Sequence, residues 1–332
     1  MKIFQLFILL FILFSCKKEN VYYYSNDKQI KDSTVIRFVD EELEKLSIDI
    51  KEKNLKIHTT LDSTSYKTNL DSIRNKIFEK ALTQNLKPED KQAFDDWFRE
   101  KVIVVDNETG QVLNYYSSFK SKKYDRKDIS MGMLRKIIRI GSALYENPDS
   151  EIPENYLFNH SSGIGKELEI SKEEAQFLSK FNIKNLDTKG YFYNYISFLE
   201  AIKIFQTYNS GLLKEPFVIK KVLNKDKIVY SQKELSQKIF TQNSLDKIQK
   251  NLKHYKENSF GAFENQLKNT ENLFFFGYND MDYFMIINDG KYTYLIYNFS
   301  AVITDLEKKK IKKIPHIWMK KAGISYYNAI RK

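Results

Sequence analysis

The sequence predicts an α+β fold, an antiparallel sheet covered by helices on both faces and accompanied by a mostly helical lobe. Three observations carry this. Near the C-terminus, ENLFFFGYN, MDYFMIIND and KYTYLIYNF follow one another closely as aromatic and β-branched runs, and Asn288-Asp289-Gly290 between the last two is a turn signal. Earlier in the chain KVIVVD and QVLNYYSS flank Asn107-Glu108-Thr109-Gly110, which predicts a hairpin over 101–117 with Gly110 at the positive φ its turn needs. Between these strand groups the apolar spacing is helical. Strands and helices segregated in this way give a sheet layered with helices.

Taken in order, VIRFVDEELEKL (35–46) has helical periodicity, and LKIHTT (55–60) alternates as a strand. Asp62-Ser63 caps a helix to Leu82 through Leu70, Ile73 and Ile77. Pro88 opens a second helix that includes Phe94, Trp97 and Phe98. After the hairpin, helices are expected at 130–145, 171–180 and 197–208. Pro216 to Val222 is a strand, turning at Asn224 to Lys227 and returning over Ile228 to Tyr230. A helix from Ser244 to Tyr255 precedes the meander, whose strands fall near 272–279, 282–288 and 291–299. A basic helix, Leu306 to Ala322, closes the chain.

The N-terminus has its own chemistry. Met1-Lys2 is followed by the apolar run IFQLFILLFILF, then Ser15 and Cys16, the only cysteine in 332 residues. A charged residue, a short apolar stretch and a small residue before cysteine form the pattern of a bacterial lipoprotein signal. Acylation of Cys16 with two or more chains gives stable anchoring, whereas one chain binds at only about 10⁴ M⁻¹. A membrane-spanning helix is the alternative, but some twelve residues rise about 18 Å, short of a hydrocarbon core of roughly 30 Å. The expected organisation is a signal peptide over 1–15, a polar tether over 16–34 and one folded domain over 35–332.

The net charge of +11 accompanies a general richness in Lys, and its clusters, such as Lys122-Lys123 and Lys308 to Lys310, are short. Nucleic acid is therefore not an expected partner. A basic surface favours anionic lipid headgroups or acidic wall polymers. The four histidines, His58, His160, His254 and His316, show no metal-ligand spacing, and there is no Gly-rich phosphate loop, so no cofactor is expected.

Several strings, collinear from residue 55 to residue 319, resemble the transpeptidase domain of class A penicillin-binding proteins, the serine acyl-transferase fold shared with β-lactamases. LKIHTTLD (55–62) is similar to the Tyr-Thr-Thr-Leu-Asp string that opens that domain. VIVVDNETGQVL is similar to its first hairpin, FLEAIKIFQTYNSGLLKEPFVIKKV (198–222) to its Pro-Leu-Glu-Met-Ala helix and the following strand, and Pro315 to Met319 to the Pro-Ile-Trp string of its closing helix. The glycosyltransferase domain that precedes this one in such proteins has no counterpart in the roughly 40 residues between Cys16 and Leu55.

The resemblance implies a Ser-x-x-Lys at the start of a helix, a Ser-x-Asn from the helical lobe and a Lys-Thr-Gly on the edge strand. Matching Gly132 and Ser142-Ala143-Leu144 to the nucleophile helix puts Met133 in the serine position and Lys136 in the lysine position. A thioether cannot accept an acyl group. Lys268-Asn269-Thr270 is one register for the Lys-Thr-Gly position; Phe275-Phe276-Gly277 is the other and leaves the right number of strands after it. An aromatic Phe275 would then replace the cation that holds the substrate carboxylate. Asn159 to Gly165 is the only loop-like candidate for the Ser-x-Asn region.

Two literal Ser-x-x-Lys strings fall elsewhere. Ser117 and Lys120 follow the hairpin's second strand, where positions i and i+3 point to opposite faces. Ser244 to Lys247 begins a helix, with Ser244 as N-cap. These readings imply a membrane-anchored, catalytically inactive envelope lipoprotein that binds peptidoglycan or an envelope protein complex. The alternative they leave is an active serine acyl transferase, a D,D-transpeptidase or carboxypeptidase using Ser117.

Overall fold

The structure is a computed structural model, and it describes residues 21–50, 54–62, 67–82, 98–119, 128–153, 156–157, 170–184, 186, 194–259, 272–278, 282–300, 303–305, 310–312 and 316–331. In chain order the strands and helices are β1 (Tyr22–Ser25), β2 (Lys28–Gln29), α1 (Ser33–Lys45), β3 (Leu55–Thr59), α2 (Lys67–Leu82), β4 (Phe98–Asp106), β5 (Val112–Ser117) and β6 (Asp128–Ser130). A 3-10 turn, Met131–Met133, leads into α3 (Arg135–Glu146), followed by α4 (Lys172–Ser179), β7 (Tyr195–Ser197), α5 (Phe198–Ser210), β8 (Leu212–Lys214), β9 (Ile219–Asn224) and β10 (Lys227–Ser231). The chain finishes with β11 (Ser236–Lys238), α6 (Gln242–Ser259), β12 (Leu273–Tyr278), β13 (Asp282–Asn288), β14 (Tyr292–Ser300), β15 (Ile303–Asp305), β16 (Lys310–Lys312) and α7 (His316–Ile330).

The chain divides into two compact units. The first takes residues up to Thr59 together with Ile219–Gln232. Its sheet runs β10-β9-β3-β1-β2. Part of the expected tether is thus a strand: β1 pairs in parallel with β3, Tyr23 opposite Ile57 and Ser25 opposite Thr59. Asn26 and Asp27, at φ 44° and 62°, turn the chain into β2 with the two positive values of a tight hairpin. One face of the sheet carries the buried Tyr23, Leu55, Ile57 and Val222. On that face lies α1, capped by the Asp32 carboxylate, which accepts from Thr34 N at 2.8 Å, and tied down by the Tyr23 hydroxyl donating to Asp40.

The second unit holds the predicted sheet, in the order β12-β13-β14-β4-β5, antiparallel throughout. Gly110 takes φ +76° in the β4–β5 turn, as the sequence requires. Period-two alternation splits its residues between two faces. Tyr294 and Met285 face α7: the Tyr294 ring meets Tyr327 at 5.0 Å, and Met285 packs beneath Gly323. Leu295 and Tyr297 take the other face, where Tyr297 meets Phe198 of α5 edge-on at 4.9 Å. The two covering helices are therefore α5 and α7, while α3 packs with α4 and α6.

The ends of several elements differ from expectation. Residues 310–312 form a strand, so the closing helix is His316–Ile330 rather than 306–322. Phe98 begins β4 instead of ending a helix, and Pro88 lies outside the described residues. Helix α6 starts two residues before Ser244: the Thr241 hydroxyl accepts from Ser244 N at 3.2 Å, and the Ser244 hydroxyl donates to the Leu144 carbonyl at 3.0 Å.

Candidate functional site

The candidate site lies on the α5 side of the second unit's sheet. Two short strands hold its entry: β6 pairs with β7 from Asp128 opposite Ser197 to Ser130 opposite Tyr195, and Met131 N donates to Asn194 O at 2.8 Å. The 3-10 turn leaves this ladder with Leu134 N bonded to Met131 O, so Met133 precedes the first α-helical residue rather than lying inside the helix. Met133 is buried. Lys136, in the first turn of α3, donates through Nζ to the Leu157 carbonyl at 3.1 Å.

Opposite stands β12. Phe275 pairs with Ile286 and Gly277 with Phe284, so Phe275 and Gly277 share a face and Phe276 points to the other. A β-carbon on Gly277 would lie 2.6 Å from the Met133 carbonyl oxygen and 2.4 Å from the Phe284 ring. Only glycine fits there. Met133 and Gly277 therefore lie against each other.

Phe275 is buried with its ring 5.3 Å from Tyr255 and 6.1 Å from Phe284. Such aromatic pairs add about 0.5–1.5 kcal/mol beyond their area. Phe276 lies among Tyr283, Tyr255 and Phe274 on the far side. Helix α6 covers this edge of the sheet, with Tyr255 donating to the Phe276 carbonyl at 3.2 Å and Lys256 to the Asn272 carbonyl at 3.2 Å. Burial lowers the Lys256 ammonium below its ordinary value, so its proton is held less firmly than that of a solvated lysine.

Ser117 ends β5 directly across from Lys101, buried, its hydroxyl accepting from Phe119 N at 3.2 Å. The Lys101 ammonium stands 5.0 Å above the Phe198 ring and 5.4 Å above Phe119. Lys120, the Asn159–Gly165 loop including His160, Lys268-Asn269-Thr270 and Cys16 all lie outside the described residues. The β6–β7 ladder is absent from the sequence reading, although Ile129 and Ile196, each flanked by polar residues, were a weak period-two signal.

Helix α5 is the most legible part of the site's frame. Ser197 and Glu200 form a reciprocal capping box, Glu200 N bonding to Ser197 Oγ at 3.2 Å and Ser197 N to the Glu200 carboxylate at 2.6 Å. Gly211 ends the helix in the left-handed conformation. Its buried face includes Phe198, Ile202 and Phe205.

The antiparallel sheet between two helices, with a helical lobe beside it, is the fold of penicillin-binding-protein transpeptidases. The chain is similar to PonA1 of Mycobacterium tuberculosis (TM-score 0.57, 13% identity, 89% of each chain covered). It is also similar to penicillin-binding protein 1A of Haemophilus influenzae (TM-score 0.61, 10% identity, 92% of this chain and 72% of that one). A third likeness is to the D,D-transpeptidase domain of a peptidoglycan glycosyltransferase from Eggerthella lenta (TM-score 0.51, 12% identity, 87% and 86%). No family model matches the sequence, and no curated protein matches it. Identities this low establish the fold and leave the chemistry to the residues.

Proposed function

We propose that this chain is a membrane-anchored envelope protein whose transpeptidase-like domain binds peptidoglycan or an envelope protein complex without acylating a substrate. The observation that carries this reading is the pair Met133 and Gly277. A thioether side chain occupies the serine position of the resemblance, and its backbone carbonyl is packed onto the glycine of the edge strand. Acyl transfer needs a nucleophile and donors aimed at the developing oxyanion. Phe275, buried among rings, supplies no charge for a substrate carboxylate.

The deciding measurement is incubation of the full chain, purified in detergent, with a fluorescent penicillin, followed by a denaturing gel. An unlabelled band is expected. A covalent label abolished by Ser117→Ala would instead establish the acyl-transferase alternative.

A further inference from the structure

The first unit's sheet has a second face, opposite α1, made of tyrosine, lysine and apolar side chains. Tyr23 points toward α1, so alternation places Tyr22 and Tyr24 on this opposite side. Register adds Lys56, His58, Lys221 and Leu223, and then Ile228 across from Leu223. These residues are half-buried except Ile228, which is 65% exposed, and its neighbour Val229 in the β10 bulge is 53% exposed. The Tyr24 ring stacks on His58 at 5.4 Å and on Tyr22 at 6.4 Å.

Charge is polarised across the unit. Helix α1, on the other side, carries the four acids Asp40, Glu41, Glu42 and Glu44 against the two bases Arg37 and Lys45. The β9–β10 hairpin holds Lys220, Lys221, Lys225 and Lys227 against the single acid Asp226, which Lys56 engages at 2.7 Å. His58 registers the same field: burial first, then the Lys221 charge, lower its imidazole, with Lys56 and Lys220 adding and Asp27 opposing.

We propose that this tyrosine, lysine and isoleucine face docks on an anionic lipid bilayer. It rests on the Cys16 anchor for its orientation: Tyr22 is six residues after Cys16, a reach of at most about 21 Å, so an acylated chain holds β1 within that distance of the headgroups. Tyrosines favour the interface, lysine stems lie along apolar surface with their ammonium groups at the phosphates, and Ile228 and Val229 are exposed apolar groups that a bilayer would cover. Each lysine near an anionic surface strengthens binding by about fivefold.

The test uses the chain from Lys17 onward, which keeps every described residue, sedimented with vesicles of phosphatidylcholine alone, with vesicles also containing phosphatidylglycerol, and with peptidoglycan sacculi. Binding to the anionic vesicles alone is expected, weakening as salt is raised. Lys221→Glu with Lys225→Glu and Ile228→Asp should weaken it about tenfold or more while leaving the thermal unfolding midpoint in place. Should that triple variant unfold, Lys221→Gln alone should still cost about fivefold. Equal binding to both vesicle types, indifference to Lys221→Gln, or sedimentation with sacculi through these same residues would overturn the proposal, the last by showing a wall polymer as the occupant. Because this chain lacks Cys16, the result is independent of whether Cys16 is acylated.

Discussion

The Met133 carbonyl oxygen lies 2.6 Å from where a β-carbon of Gly277 would stand. The 3-10 turn and the edge strand are therefore in backbone contact, and the contact depends on a missing side chain. Gly277→Ala forces the turn or the Phe284 ring to move, an overpacking that costs about 1–3 kcal/mol. Urea unfolding of the variant should show that loss. An unchanged midpoint would mean the turn is free to retreat from β12.

On the proposed reading, a serine at position 133 should not by itself confer acylation. Met133→Ser places a hydroxyl at the start of α3, but Lys136 is engaged with the Leu157 carbonyl and Phe275 remains an aromatic ring. Losing one oxyanion donor already costs about 10²–10³ in rate, and on the proposed reading the carboxylate partner is missing as well. We expect no penicillin label on Met133→Ser. Adding Phe275→Lys buries an ammonium against Tyr255 and Phe284 and should destabilise the fold before it recovers binding.

The main sheet was legible because its strand groups are aromatic and β-branched runs and their turns are local: Gly110 and Asn288-Asp289-Gly290 announce themselves within a few residues. The sequence also put Phe275-Phe276-Gly277 on the first strand of the meander, which is β12. What it missed depends on distant partners. Tyr22–Ser25 is polar and short, and it becomes a strand by pairing in parallel with β3, more than thirty residues on. Asn26-Asp27 was the available turn signal. At the C-terminus, the lysines of 308–312 fit a basic helix as readily as a hairpin, and pairing of Ile311 with Thr304 decides for the strand.

Anchoring has a direct readout. Cells expressing the full chain should incorporate radiolabelled fatty acid into it, and Cys16→Ala should remove the label. The variant should also leave the membrane fraction on a high-salt wash, since salt screens the charge-based docking of the lysine face and leaves only covalent anchoring. A salt-resistant, still labelled Cys16→Ala chain would sink the anchor.

On the far side of the sheet, Glu100 gives the fold a pH dependence of defined sign. Its fully buried carboxylate accepts from the Tyr326 hydroxyl at 2.6 Å and from the Ser118 hydroxyl, with Arg74 Nε at 3.3 Å. Burial raises its pKa, and Arg74 and the two hydroxyl bonds oppose that without cancelling it. The folded chain thus holds this proton to a higher pH than the unfolded chain, whose value is about 4.3. The group's stabilising contribution is complete below that value and is lost as pH rises through the folded one. Glu100→Gln keeps an acceptor but removes the titration, so the stability difference, variant minus parent, should grow as pH rises above the unfolded value and level off above the folded one. Arg74→Met leaves the charge buried without its cation and should cost about 3 kcal/mol or more at neutral pH, less in acid where the carboxyl is protonated. Urea unfolding of the three chains across that pH range measures both effects, and parallel curves would show that Glu100 does not titrate differently on folding.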